Sequence, residues 1–227
     1  MSHSAVLKAA KTLPRANPAD IAAFAKSPVG NIVDALGRTG AMAASIKPVT
    51  TATTFAGTAL TVDAGPRDNL APWASLRLAK PGDVLIIATG GHTAHAVAGD
   101  ILIGMAKNAG IIAIVTDGAV RDIAGNNAAG IPVFAAAITP NSPQKNGPGS
   151  VGLPIVCGGV ATATGDIVCG DDEGVVIIPA ARIKEAKTAL EAVKRKEAAM
   201  EAELAAGAPA PGWLRDIPLD DLFTFTD

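Results

Sequence analysis

Two short, almost wholly apolar runs set the strongest limit on what this chain can become. Asp83–Ala88 carries Val84-Leu85-Ile86-Ile87 and stops at Thr89-Gly90-Gly91, and Ile111–Val115 stops at Thr116-Asp117-Gly118. Strands that are apolar on both faces belong to sheets covered on both sides, which favours parallel pairing. Parallel neighbours need a crossover, and Asp100–Asn108 provides one. There Ile101, Leu102, Met105 and Ala109 recur at helical spacing, and Gly110 is a left-handed stop. The pattern predicts a βαβ unit at the centre of an α/β domain. Such crossovers are right-handed, so the C-terminal ends of both strands reach one edge of the sheet. Ligands of open α/β sheets bind at that edge.

Around this centre the elements are shorter. Residues 1–30 read as an N-terminal helical leader, with helical patches over Leu7–Leu13 and Pro18–Lys26 broken by Pro14, Pro18 and Pro28. Asn31–Leu36 opens a short helix, Thr50–Asp63 reads as a strand or hairpin, and Asp68–Ala79 has helical spacing. Beyond the centre, Val133–Ala137, Gly158–Val168 and Gly174–Ile178 read as strands, with a loop over Thr139–Gly152. The main domain is expected over 31–180. Residues 181–227 form a long helix, Arg182–Ala205, and a tail with Trp213, Leu222, Phe223 and Phe225 that is apolar enough to pack on a neighbouring subunit.

Composition narrows the function. Net charge is −2, charged residues make up 18% and aromatic residues 3%, so neither a basic field nor a stacking platform exists for nucleic acid. No apolar run approaches a membrane span. Lys8, Lys11 and Arg15 are followed by no apolar signal segment, so a cytoplasmic enzyme is expected. Cys157 and Cys169 make no disulfide framework and sit in apolar strand context.

Three polar residues fall at the predicted edge. Asp100 stands where a helix begins, so the amides of Ile101 and Leu102 favour an anion there. Arg121 offers a planar fork for a carboxylate or an enolate oxygen. Asp122 offers hard oxygens to a Mg²⁺-like ion, which commonly takes one or two carboxylates and keeps several waters. Each residue also has a plain reading, Asp100 as a helix cap and Arg121-Asp122 as a surface ion pair. Together they suit a 2-oxo acid held through its keto and carboxylate oxygens.

The segment from Asp100 through twenty residues to Arg121-Asp122 resembles the D-x20-R-D signature of the 4-hydroxy-4-methyl-2-oxoglutarate/4-carboxy-4-hydroxy-2-oxoadipate aldolases, within the RraA-like group. The likeness extends through Asp68-Asn69, Lys80-Pro81-Gly82-Asp83, Asp117–Asp122, Lys145–Gly149, Cys157-Gly158-Gly159, Gly165–Val168 and Asp171–Val175. The resemblance implies a layered α/β/β/α fold, assembled as a homotrimer or homohexamer with sites at subunit boundaries. It implies Asp122 as ligand of a divalent cation (Mg²⁺ or Mn²⁺), Asp100 as holder of its water, and Arg121 as binder of the pyruvoyl group. The amides around Gly99–Leu102 resemble the family's carboxylate cradle. Non-aldolase relatives tend to carry Gly at the Asp100 position and an acid at the Gly125 position, so this chain resembles the aldolase branch. The expected activity is cleavage of a 4-hydroxy-2-oxo acid to pyruvate, with oxaloacetate decarboxylation alongside. The rivals are decarboxylation alone and a non-catalytic regulator of ribonuclease activity.

Other features carry less. Gly90-Gly91 lacks dinucleotide spacing, His92-x-x-His95 has no third soft ligand, and Asp171-Asp172 suits a turn. Glu197 reads as surface charge on the long helix. Lys80, Lys107 and Lys145 are Schiff-base candidates in principle only, since none marks a desolvated pocket.

Overall fold

The expected parallel centre is present in the computed structural model, which describes residues 6–226. In chain order the first half comprises β1 (Leu7–Ala9), α1 (Pro18–Phe24), α2 (Val29–Ala35), β2 (Lys47–Pro48), β3 (Phe55–Asp63), α3 (Leu70–Ser75), β4 (Asp83–Ala88), β5 (Ala96–Ala98) and α4 (Asp100–Asn108). There follow β6 (Ala113–Thr116), β7 (Ala119–Val120), α5 (Ile123–Ala129), β8 (Val133–Ala135), β9 (Ala137–Ile138), β10 (Gly149–Val151), β11 (Ile155–Cys157) and β12 (Val160–Thr162). The chain closes with β13 (Ile167–Asp171), β14 (Gly174–Ile178), α6 (Ile183–Ala205), α7 (Gly212–Arg215) and α8 (Leu219–Leu222).

The main sheet runs β1-β10-β3-β4-β6-β8-β2, with β13 paired to the first half of β3 and β14 outside it. β4 lies parallel to both β3 and β6, in register Leu85↔Ile114 and Ile86↔Val115. Alternation along these strands divides the interior in two. Leu60, Leu85, Ile87 and Ile114 pack with Leu102, Ile103 and Ala106 of α4. Ala59, Val84, Ile86 and Val115 turn the other way and meet Val168, Val175 and Ile177 of β13 and β14, with the β11–β12 hairpin alongside. The outer faces of β13 and β14 (Ile167, Cys169, Val176, Ile178) are covered by α1, α2 and α6. The sheet therefore folds over on itself with helices outside both leaves, a mixed α/β architecture of the layered kind expected.

Several local expectations need correction. Leu7–Leu13 is not helical: Leu7–Ala9 is a strand lying parallel to β10. Helical spacing over so few residues loses to an open sheet edge and to the apolar cluster that takes Leu7 and Leu13. β10 itself falls at the end of the expected loop over Thr139–Gly152. Arg15 reaches the start of β4, donating to Asp83 through Nε at 2.5 Å and through Nη2 at 2.8 Å. Asp83 is fully buried, so removing Arg15 strands a charge, at a cost of about 3–5 kcal/mol. At the other end α6 lies on α2 and α1 through Ala186 and Leu190. The tail beyond it leaves Trp213, Leu219, Phe223 and Phe225 exposed. No helix among the described residues is long and apolar enough to cross a membrane.

Candidate functional site

What sets the site is a second, three-stranded parallel sheet, β5-β7-β9, beyond the C-terminal ends of β4 and β6. Its strands are too short to announce themselves in the sequence. β5 runs into Gly99 and α4, β7 runs into Arg121 and Asp122, and β9 runs into the loop at 139–148. Ala96 pairs with Ala119 and Ala98 with Val120, and the Arg121 amide donates to Ala98 O at 3.0 Å. This pairing lays the Arg121-Asp122 step beside Gly99.

Gly99 leaves the space that the Asp122 and Arg121 side chains occupy. Its backbone is extended (φ −145°, ψ −175°), which any residue tolerates. A Cβ on it would lie 2.5 Å from Asp122 Oδ2 and 3.2 Å from Arg121 Nε. Gly125, in α5, likewise makes room for Asp100, since a Cβ there would lie 2.5 Å from Asp100 Cβ and 2.7 Å from its Oδ2. The two acids, separated in sequence, thus approach through neighbouring glycines.

Asp122 occupies the N-cap position of α5 yet makes no side-chain cap hydrogen bond. The plain reading of Arg121-Asp122 as an ion pair holds in geometry, at 3.1 Å. The Asp122 backbone is left-handed (φ 60°, ψ 49°), a conformation that Asp tolerates better than most residues and that recurs at functional sites. Buried Asn126 pins this turn by donating from Nδ2 to Arg121 O at 2.8 Å. Arg121 Nε donates to Asp122 Oδ2 at 3.1 Å, and its Nη1 donates to Ser142 Oγ at 2.6 Å. Both side chains remain about 40% accessible, so the ion pair leaves each available to a ligand.

At α4 one of the two expected amides is committed. Asp100 Oδ1 accepts from the Ile101 N–H at 2.7 Å. Leu102 turns its side chain into the core while Ile101 stays exposed at the rim. Gly99, Asp100, Ile101, Leu102, Arg121 and Asp122 all border one cavity of about 300 Å³. That is a volume suited to a small ligand.

The cavity is also bordered by Lys145, considered above only as a Schiff-base candidate, and by residues assigned no site role from sequence, among them Asn69, Trp73, Ser142 and Pro143. The signal for Asn69 and Lys145 lay in Asp68-Asn69 and Lys145–Gly149, segments noted for likeness without a role; Trp73, Ser142 and Pro143 carried none. Asp68 joins the two: its Oδ1 caps Leu70 N at 2.8 Å and its Oδ2 accepts from Asn146 N at 2.6 Å. The Asn69 amide adds a bond to Gln144 O at 2.9 Å. Of the three lysines considered, Lys145 borders the cavity, with an exposed side chain, whereas Lys107 Nζ donates to Ala129 O.

Other candidates lie elsewhere. His92 Nε2 and His95 Nδ1 share a hydrogen bond at 3.0 Å. Burial, then the charges of Arg67 and His92, hold the His95 imidazole below its usual range. Glu197 accepts from Asn31 Nδ2 on the far side of the molecule. Burial pushes the Cys157 and Cys169 thiols up to about 12, with Asp117 and Asp171 respectively adding to the rise, so neither is a nucleophile.

Among the described residues no three His, Cys, Asp or Glu side chains gather. The donors at the cavity, two carboxylates with room around them, fit a hard cation that keeps most of its waters. They do not make a thiolate or imidazole cage.

The class that emerges is a folded-over α/β domain with Asp100, Arg121 and Asp122 around one cavity at its strand ends. The chain belongs to the RraA-like family (Aldolase/RraA), which it matches over residues 29–177. It is 38% identical over 182 residues to a Halalkalibacterium halodurans protein named "Putative 4-hydroxy-4-methyl-2-oxoglutarate aldolase", covering 80% of this chain and 85% of the relative. Among solved structures it resembles Streptomyces coelicolor RraAS2, described as an unusual member of the RNase ES inhibitor RraA family. That likeness has a TM-score of 0.73 at 25% identity, over 83% of this chain and 100% of that one. It also resembles the RNA-processing inhibitor RraA from Thermus thermophilis, with a TM-score of 0.63 at 27% identity, over 68% and 93%.

Proposed function

We propose that this chain is a divalent-cation-dependent lyase that cleaves 4-hydroxy-4-methyl-2-oxoglutarate or a close 4-hydroxy-2-oxo acid to pyruvate and a second 2-oxo acid. The observation that carries this reading is the meeting of Arg121, Asp122, Asp100 and the start of α4 around one small cavity. The named relative adds the substrate class.

Asp122 is the residue that would hold the cation, with Asp100 accepting hydrogen bonds from water beside it. The bound cation supplies Lewis-acid polarisation of a substrate keto group. The remaining work falls to the protein. Leu102 N–H and the positive end of α4 face the substrate carboxylate. Arg121, already held by Asp122 and Ser142, directs its fork at the keto oxygen. Loss of the C4 hydroxyl proton to a base turns C4–O into a carbonyl and breaks the C3–C4 bond. The bonding pair moves onto the pyruvoyl fragment as an enolate, whose charge Arg121 stabilises. Protonation at C3, from water ordered by Asp100, gives pyruvate. Oxaloacetate losing CO₂ leaves the same enolate, so decarboxylation is the expected side activity.

Pyruvate release from both substrates, followed with lactate dehydrogenase, tests this. Activity should vanish with EDTA and return with Mg²⁺ or Mn²⁺. Inactivation by borohydride with pyruvate present would place the chemistry on Lys145 instead, as a Schiff base, and overturn the cation-dependent reading.

The likeness to RraA proteins favours a second reading, a regulator that binds a ribonuclease partner. It requires no turnover and predicts that Asp122→Asn leaves partner binding intact.

A further inference from the structure

The wall of the cavity formed by α3 holds two polar groups whose hydrogen-bonding needs no described residue meets. Asn69 is 5% exposed, and its Nδ2 is committed to Val97 O at 3.1 Å, yet its Oδ1 has no donor. Trp73, one helical turn on, has its Nε1–H shut away from water with no acceptor. Residues four apart share a helix face, and both border the cavity that contains Arg121 and Asp122. Polar groups buried without partners are rare in folded proteins and call for a physical explanation. An orphan acceptor and an orphan donor on residues that border one cavity match a ligand that brings both a hydroxyl hydrogen and an anionic oxygen.

We infer that Asn69 and Trp73 form the distal subsite, which reads the far end of a 4-hydroxy-2-oxo dicarboxylate: Trp73 Nε1–H donates to its second carboxylate and Asn69 Oδ1 accepts from its C4 hydroxyl. The orientation rests on the proposed function, because it places the pyruvoyl end on Arg121 and Asp122. Lys145 borders the same cavity from the opposing loop and adds positive charge for a second carboxylate. A plain monocarboxylate such as pyruvate leaves both groups unpaired, so the subsite selects for length and for charge at the distal end.

The chain has two tryptophans, and the second, Trp213, lies exposed in the tail, so a Trp213→Phe protein reports on Trp73 alone. This full-length protein, in Mg²⁺ buffer, is titrated with pyruvate and with 2-oxoglutarate, a 2-oxo acid with a distal carboxylate and no cleavable C3–C4 aldol bond. Trp73 emission should respond to 2-oxoglutarate, which should bind at least about tenfold tighter than pyruvate, as a hydrogen bond to a charged group implies. Calorimetry on Trp73→Phe, which keeps the ring and loses the N–H, should show that preference reduced to about twofold. Equal affinity of the parent for the two acids overturns the subsite, as does a preference that survives in Trp73→Phe. The two readings fail separately. A parent that cleaves 4-hydroxy-2-oxo acids while Trp73→Phe keeps its KM and its preference sinks the subsite alone. A parent that cleaves none, while the 2-oxoglutarate preference still depends on Trp73, sinks the proposed activity and leaves the subsite standing.

Discussion

Replacing Gly99 by alanine adds one carbon at the most crowded point of the site. The new Cβ would stand 2.5 Å from Asp122 Oδ2, 3.1 Å from Arg121 Cγ and 3.2 Å from its Nε. Ordinary contact begins near 3.4 Å, so the Asp122 carboxylate must withdraw by about 0.9 Å. Its backbone has little freedom to follow, held left-handed by Asn126 and by pairing of β7, so the side chain rotates and loses its bond to Arg121 Nε. A displacement near 1 Å at a reacting centre costs on the order of 10²-fold in rate, or about 2.7 kcal/mol. Folding should suffer far less. Alanine at an N-cap in place of glycine costs up to about 1 kcal/mol, a fall of roughly 2–4 °C in Tm for a chain of this size. Gly104→Ala is the control, because a Cβ on that residue of the same helix meets nothing within 4 Å. The assay pairs kcat/KM for pyruvate release with Tm and Mg²⁺ titration. A Gly99→Ala protein that turns over at the parental rate would refute the placement of Asp122 at the reacting centre. Loss of activity explained wholly by unfolding would refute the steric account.

Arg121→Lys keeps the charge and loses the fork that spans Asp122 and Ser142, so turnover should fall by about 10²–10³. Asp100→Ala should retain much of the cation affinity and lose about 10–100-fold in exchange of pyruvate methyl protons with deuterated water, followed by NMR. If both variants exchange at the parental rate, the site lies elsewhere. The buried thiols predict a sign for alkaline stability. Cys157 and Cys169 keep their protons when folded up to about pH 12, and lose them near 9.0 when unfolded. Above pH 9 the unfolded state therefore binds fewer protons, and stability falls by about 1.4 kcal/mol per thiol per pH unit. Urea melts of a Cys157→Ala, Cys169→Ala protein should flatten that slope, and an unchanged slope would place its origin elsewhere. Exposed Trp213, Phe223 and Phe225, with Ile101 and Met105 on α4, predict self-association as a trimer or hexamer. A monomer by light scattering at micromolar concentration would contradict that.

Legibility in the sequence followed burial and length. β4, α4 and β14 lie where their residue patterns place them, because a fully buried apolar run and an amphipathic turn leave few alternatives. β5, β7 and β9 have two or three residues each, too few for any periodicity, and they are the elements that align Gly99 with Arg121. The convergence of Asp100 and Asp122 was readable from strand polarity alone. The α3 side of the cavity was not. Asn69 and Trp73 reach it through bonds from Asp68 and Asn69 to residues more than seventy positions away, which no local pattern encodes. Leu7–Ala9 fails for a related reason, its conformation being set by a partner strand and not by its own spacing.

The glycine at 125 has a consequence for how sequences of this family can change into one another. A Cβ there would fall 2.5 Å from the Cβ of Asp100 and 2.7 Å from its carboxylate, so the two positions compete for one space, and a single acid can fill it. An acid added at 125 while Asp100 remains meets a steric clash and a second negative charge at the same point. Losing Asp100 first only opens a gap that water can enter. The viable route is therefore directional: Asp100→Gly precedes Gly125→Asp, and the reverse order passes through an overcrowded intermediate. Once both steps are taken, the carboxylate is presented from α5 in place of α4. Exchange in either direction passes through the same intermediate, with glycine at both positions and neither acid in place. Epistasis between positions 100 and 125 is thus written into the packing of two helices.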